Sequence, residues 1–187
     1  MTKSTGIIMS GDHPVKCLDG TKTVTRRTWG LEKINAHPEI WEFVNMEGAI
    51  AYFKHPTGTQ IPVKCPYGGV GDLLWMKETY STHPLHYRAD GYELKDGEGV
   101  WHSSMFMPRR LSRADLEIIP GLRPERLQAI TEEDAIAEGC PGIATHKPYP
   151  RQYRDSYEVL WDLLNAKRGY AWDGNHWIWR IPFKLQG

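Results

Sequence analysis

Short apolar runs, each bounded by turn residues, alternate along the chain with a few stretches of helical spacing. Gly6-Ile7-Ile8-Met9 reads as a buried first strand. Ser10, Gly11 and Asp12 then serve as turn and cap, and Pro14 suits a first helical turn. Val15 and Leu18 share one face of a short helix that stops near Gly20. Trp41, Phe43 and the run 49–53 predict two strands around a Glu47-Gly48 turn, and 61–65 a third with an edge proline, Pro62. Residues 73–80 read as a central strand. Alternation places Trp75, Lys77 and Thr79 on one face and Leu74, Met76, Glu78 and Tyr80 on the other. Segments 86–88 and 100–102 predict a hairpin. Residues 113–119 and 122–128 predict two more strands, the first with Glu117 between Leu116 and Ile118. Thr131 caps a helix that runs through Glu138 and ends at Gly139. After a loop over 140–150, Tyr153, Tyr157, Leu160, Trp161 and Leu164 fall at helical spacing, and 177–183 forms a last aromatic strand. The sum is an α+β fold, a small β-barrel with flanking helices, over residues 1–187 as one domain.

The run from Leu18 to Arg27 breaks this pattern. Behind Gly20 it places Lys22, Arg26 and Arg27 among the hydroxyls of Thr21, Thr23 and Thr25. Such a run has little to offer a hydrophobic core. It fits a solvated basic turn, or a set of cations and hydroxyls presented to a ligand. Glu78 stands on the more apolar face of its strand and Glu117 in the middle of another. A carboxylate in such a place must be paired or functional. Met107-Pro108-Arg109-Arg110 forms a second basic turn.

Composition narrows the choice of ligand. Lys and Arg number 23 and Asp and Glu number 23, so the formal net charge is zero. That balance counts against a protein that coats nucleic acid, and leaves room for a local basic pocket. Eight Trp and nine Tyr supply both core and stacking surface. Cys17, Cys65 and Cys140 lie far apart, which argues against a disulfide framework or a zinc knuckle and suits a reducing cytoplasm. No metal or other cofactor is expected from the histidine spacing, and no apolar run approaches the ~20 residues of a membrane span.

Three features together resemble the ASCH family: Gly20-x-Lys22-x-x-Thr25-x-Arg27, Gly71-Asp72 leading into the strand of Trp75 and Glu78, and Leu116-Glu117-Ile118. The chain is also similar to ASCH-like proteins of bacteriophages in Cys65-Pro66-Tyr67-Gly68, Met107-Pro108-Arg109 and Lys167-Arg168-Gly169-Tyr170. The resemblance implies a PUA-like barrel, with residues 28–60 and 85–107 as insertions. It also implies an amidohydrolase of the kind that removes the acetyl group of N(4)-acetylcytidine. The catalytic lysine, threonine and glutamate of that group would be Lys22, Thr25 and Glu117.

On the residues alone, Thr25 Oγ could attack an amide with Lys22 as base, or Lys22 could activate a water. Either role needs a neutral amine, which an ordinary lysine (pKa ~10.4) offers only rarely at neutral pH. Glu117 would shuttle a proton to the leaving amine or hold Lys22 in place. Arg26 or Arg27 would polarise the carbonyl or bind a phosphate, with Trp75 and Tyr80 as stacking surfaces and Glu78 and Arg109 as further contacts. The same residues also fit structural roles: Lys22 and Glu117 as a partly buried ion pair, Trp75 as core, and Glu78 as a link to Arg27 or Arg109. Three functions follow from these readings: an amidohydrolase, a module that binds RNA or a modified nucleotide, and a ribonuclease. Zero net charge favours a small nucleoside over long RNA.

Overall fold

The structure, a computed structural model, describes residues 2–142 and 152–187. Most of the predicted 140–150 loop lies outside them. The main sheet is built from β1 (Ser4–Ile8), β6 (Leu73–Lys77), β9 (Asp115–Ile118), β10 (Arg123–Arg126), β11 (Trp177–Leu185) and β2 (Val24–Arg27). β1 runs parallel to β6, and the other pairs are antiparallel. β11 organises the sheet. β9 and β10 follow one another along it, Glu117 opposite Lys184 and Glu125 opposite Ile178. Trp179 and Arg180 also pair with Arg27 and Arg26 of β2. A strand has only two hydrogen-bonding edges, so β2 occupies the one that β10 leaves. β1, β2 and β10 each pair with a single strand, and the β1 and β2 edges face one another across a curled, half-barrel sheet. Arg27 spans the gap between them, its Nη2 donating to the Ile8 carbonyl at 2.7 Å.

Alternation along β11 divides the interior in two. Trp177, Trp179, Ile181 and Phe183 join Ile7, Leu74, Met76, Leu116 and Ile118 in the larger core. A separate three-stranded sheet of β3 (Glu42–Glu47), β4 (Ile50–Lys54) and β5 (Gln60–Lys64) closes that core through Ala51 and Phe53, beside Ile34 of α2 (Glu32–Asn35). Ile178 points the other way, into a smaller cluster with Tyr157 and Trp161 of α4 (Gln152–Asn165) and Ala135 of α3 (Glu132–Ala137). α1 (His13–Leu18) covers the open end of the sheet, and Gly20 behind it takes a φ of 80° that favours glycine.

Two local expectations change. The strand predicted over 73–80 breaks after Lys77, where the Glu78 carboxylate is drawn into a bond with Arg113, and resumes as β7 (Tyr80–Thr82). The hairpin partner of β8 (Leu85–Tyr87) is β7, and segment 100–102 adds only a single bridge, Tyr80 to His102. Closing the tight turn at His83-Pro84 costs less chain entropy than closing the longer loop beyond it. Among the described residues, no helix is long and apolar enough to cross a membrane.

Candidate functional site

A cavity of about 420 Å³ opens over the gap between β1 and β2. Its walls come from Ile7 and Ile8 of β1, His13 of α1, Lys22 to Trp29 around β2, Tyr67, Glu138 just past α3, and the inner face of α4 down to Arg168. The size falls within the range of small-ligand sites.

Lys22 lies at the base of this cavity and is only 1% exposed. Its backbone is pinned from two sides: Lys22 N–H donates to the Lys16 carbonyl at 2.8 Å and Thr23 N–H to the Ala137 carbonyl at 2.8 Å. The last carbonyls of a helix have no partner within it, so α3 offers them to nearby donors. Lys22 Nζ takes the Glu138 carbonyl at 2.8 Å and also donates to the Glu138 carboxylate through Oε2. Lys16 Nζ takes the Gly139 carbonyl at 2.7 Å. Gly139 turns the chain away with a φ of 80°.

Arg26 completes the buried network. Its Nη1 donates to Glu138 Oε1 at 3.2 Å, its Nε to Glu125 Oε1 at 2.9 Å, and its Nη2 to Asp134 Oδ2 at 2.5 Å. Arg180 donates to Asp134 Oδ1 at 2.8 Å and Arg123 to Glu125 Oε2 at 2.8 Å. Burial works to raise the Glu138 carboxyl, but the charges of Lys22 and Arg26 outweigh it and hold the group below its ordinary value. Asp134 shows the same contest: burial opposes ionisation, yet Arg180 and Arg26 bring it down to about 2. Burial, with help from the Lys22 charge, lowers His13 to about 4, so this wall residue is a neutral imidazole at pH 7. Burial pushes the Tyr157 hydroxyl well above its ordinary value.

Four of the nine expected site residues meet here: Lys22, Thr25, Arg26 and Arg27. The other five stand elsewhere. Glu117 is not the carboxylate that Lys22 meets. It pairs with Lys184 at 3.1 Å, four residues along β11 from the Arg26–Arg180 pair, a span of ~13 Å. Trp75 packs over Gly6 on the far side of β1, with Lys77 and Arg109 against its ring. Arg109 is held by both oxygens of Asp115 at 2.7 and 2.6 Å. Tyr80 is buried beside His102, with ring centres 5.2 Å apart. Glu78 is answered by Arg113, whose Nε and Nη2 donate to its two oxygens at 2.8 Å each.

In their place the fold supplies Glu138, His13, Trp29, Tyr67, Tyr157, Trp161 and Arg168. Glu138 had a sequence signal: Asp134 and Glu138 stand four apart, so they share one face of α3. Tyr67 stood in the phage-like motif and Tyr157 and Trp161 at helical spacing, and neither pattern pointed to a shared cavity. Comparison of the chain with models of known families, with curated proteins and with solved structures gives no match.

Proposed function

We propose that this cavity binds an N-acylated nucleoside such as N(4)-acetylcytidine and hydrolyses its amide, in a PUA-like domain of the ASCH kind. One observation carries the reading: a lysine and a glutamate, buried and bonded to each other, form the floor of an open cavity beside a threonine. Tyr67, Tyr157 and Trp161 in the walls suit a planar base. The glutamate of the catalytic set is Glu138 in place of Glu117. The three cysteines are buried and free, which supports a reducing, cytoplasmic setting.

The chemistry balances with these groups alone. In the empty cavity Lys22 and Glu138 form an ion pair. Moving a proton from an ammonium to a carboxylate in water costs roughly 8 kcal/mol from ordinary pKa values. Lys22 and Arg26 hold Glu138 ionised and raise this cost, so a ligand lowers it by taking over their bonds to Glu138 as it enters. Neutral Lys22 then takes the proton of Thr25 Oγ as that oxygen attacks the acyl carbon. Glu138 gives its proton to the leaving exocyclic amine, and the ion pair is restored. Water releases the acyl group from Thr25 by the same route.

A second reading has its own support. Lys22 is already satisfied by the two acceptors of Glu138, as a structural brace would be, so the cavity would hold a modified nucleotide without turnover. Chromatographic assay of N(4)-acetylcytidine with the protein and with Lys22→Ala separates the two. Cytidine from the parent and none from the variant is the expected result. Binding without product from the parent overturns the hydrolase reading in favour of the module.

A further inference from the structure

The charges lining the cavity do not balance. Glu138 is the one carboxylate among the lining residues, and it is already matched by Lys22 and Arg26. Arg26 is in turn matched by Glu125 and Asp134. Two further cations line the same space without any counter-charge. Arg27 Nη2 donates to the Ile8 carbonyl at 2.7 Å and contacts Met9 Sδ at 3.6 Å, and its Nε is buried with no partner among the described residues. Among the described residues, the Arg168 side chain donates only to the Asn165 side chain, through Nη1 at 3.3 Å. Neither has a carboxylate within 4 Å among the described residues, and the remaining residues, 1 and 143–151, include no Asp or Glu. The Arg27 charge also reaches His13, Tyr67 and Glu138 across the cavity.

We infer that the occupant carries a phosphate, as a nucleoside 5′-monophosphate does, and that Arg27, assisted by Arg168, is the residue that selects it. This rests on the reading above that a nucleoside base enters the cavity. A half-buried guanidinium with no anion is an unmet electrostatic demand, and a phosphate answers two guanidinium groups at once through charge-assisted hydrogen bonds. The layout suits a nucleotide. Thr25 and Arg27 are two apart on β2 and so share one face, ~7 Å along the strand. The amide end of a nucleotide reaches Thr25 and Lys22 while its phosphate lies toward Arg27 and Arg168. Among the described lining residues, the neutral His13 and the Lys22–Glu138 pair leave no second anion-binding centre in competition.

Calorimetric titration of the full chain with cytidine and with cytidine 5′-monophosphate tests the inference. Neither ligand carries an acyl group, so turnover plays no part. The monophosphate is expected to bind at least about tenfold more tightly at low salt, with the advantage shrinking as salt rises. Arg27→Gln is expected to collapse that ratio. Arg168→Gln, an exposed change that leaves folding intact, is expected to lower it by about threefold or more. Equal affinities for the two ligands overturn the inference, as does a ratio preserved in an Arg27→Gln protein that melts at the parent temperature. A short 5′-phosphorylated RNA that binds tenfold more tightly than the monophosphate overturns it in favour of a polynucleotide. Failure of the deacylation assay with this preference intact defeats the hydrolase reading alone. Deacylation without the preference defeats this inference alone.

Discussion

Two buried glutamates in this molecule look alike and behave differently. Glu78 is 1% exposed and Glu138 is 3% exposed, and each is bonded to a cation. Glu78 receives the two-pronged fork of one arginine, Arg113, which also holds Asp90 in the 88–90 turn. Burial wins there, and the Glu78 carboxyl is raised above its ordinary value despite Arg113. Glu138 is approached by Lys22 and Arg26 together, and the two cations reverse the sign of the shift. The first arrangement ties the 88–90 turn, through Arg113, to the end of β6. The second lies at the base of the cavity under α4, while Glu78 lines a different cavity with Met9, Pro14 and Arg88. Burial of a carboxylate therefore does not mark a site. The two differ in the number of cations that converge on the carboxylate.

The comparison breaks most sharply under mutation. Arg113→Met leaves Glu78 buried without its partner and is expected to cost about 3–5 kcal/mol of stability in denaturant titration. Turnover or ligand affinity at the Lys22 cavity should stay within about twofold. A loss of function larger than the fraction of unfolded protein explains would place Glu78 back in the site.

Acid separates the two glutamates by sign. Asp134, at about 2, and Glu138 ionise more readily in the folded chain than in the unfolded one. Their contribution is complete above the ordinary carboxylate range and is lost as pH falls through their folded values. His13, lowered to about 4, adds a loss between its ordinary value and pH 4, because the unfolded chain binds the proton first. Glu78 is raised, so the folded chain binds its proton first and this residue opposes the loss. Melting temperatures between pH 7 and pH 3 should therefore fall less steeply in Glu138→Gln than in the parent, and more steeply in Glu78→Gln. Each proton contributes at most about 1.4 kcal/mol per pH unit. Parallel curves for the two variants would mean that the cations at Glu138 do not dominate its burial.

The smallest effect belongs to the turn that delivers Glu138. At Gly139 a φ of 80° meets a neighbour, Lys16 Cδ, 3.0 Å from where a Cβ would sit. Gly139→Ala is expected to cost about 1–2 kcal/mol in thermal unfolding. An unchanged stability would show that the end of α3 is free to adjust.

Much of the fold was legible in short-range pattern. The apolar runs at 6–9, 61–65 and 177–183 became strands β1, β5 and β11, the Thr131 cap opens α3, and the spacing of Tyr157 and Trp161 buries one face of α4. Four residues of the basic stretch after Gly20 line one cavity. The carboxylate that Lys22 meets was not legible, because Glu117 sits on a strand with apolar neighbours and looks buried in one dimension. In space its face of β9 meets Lys184 near the end of β11.

The sequence by itself determined which segments extend, which coil, and that Lys22, Thr25, Arg26 and Arg27 leave the core pattern together, because period, caps and glycine turns act over a few residues. Only the tertiary structure decided that Glu138 meets Lys22, that Glu78 belongs to Arg113, and that Arg27 faces a cavity without a counter-charge. Those are pairings between residues 19 to 116 positions apart. They depend on the curvature that brings the β1 and β2 edges together under α4, and no local spacing encodes that closure.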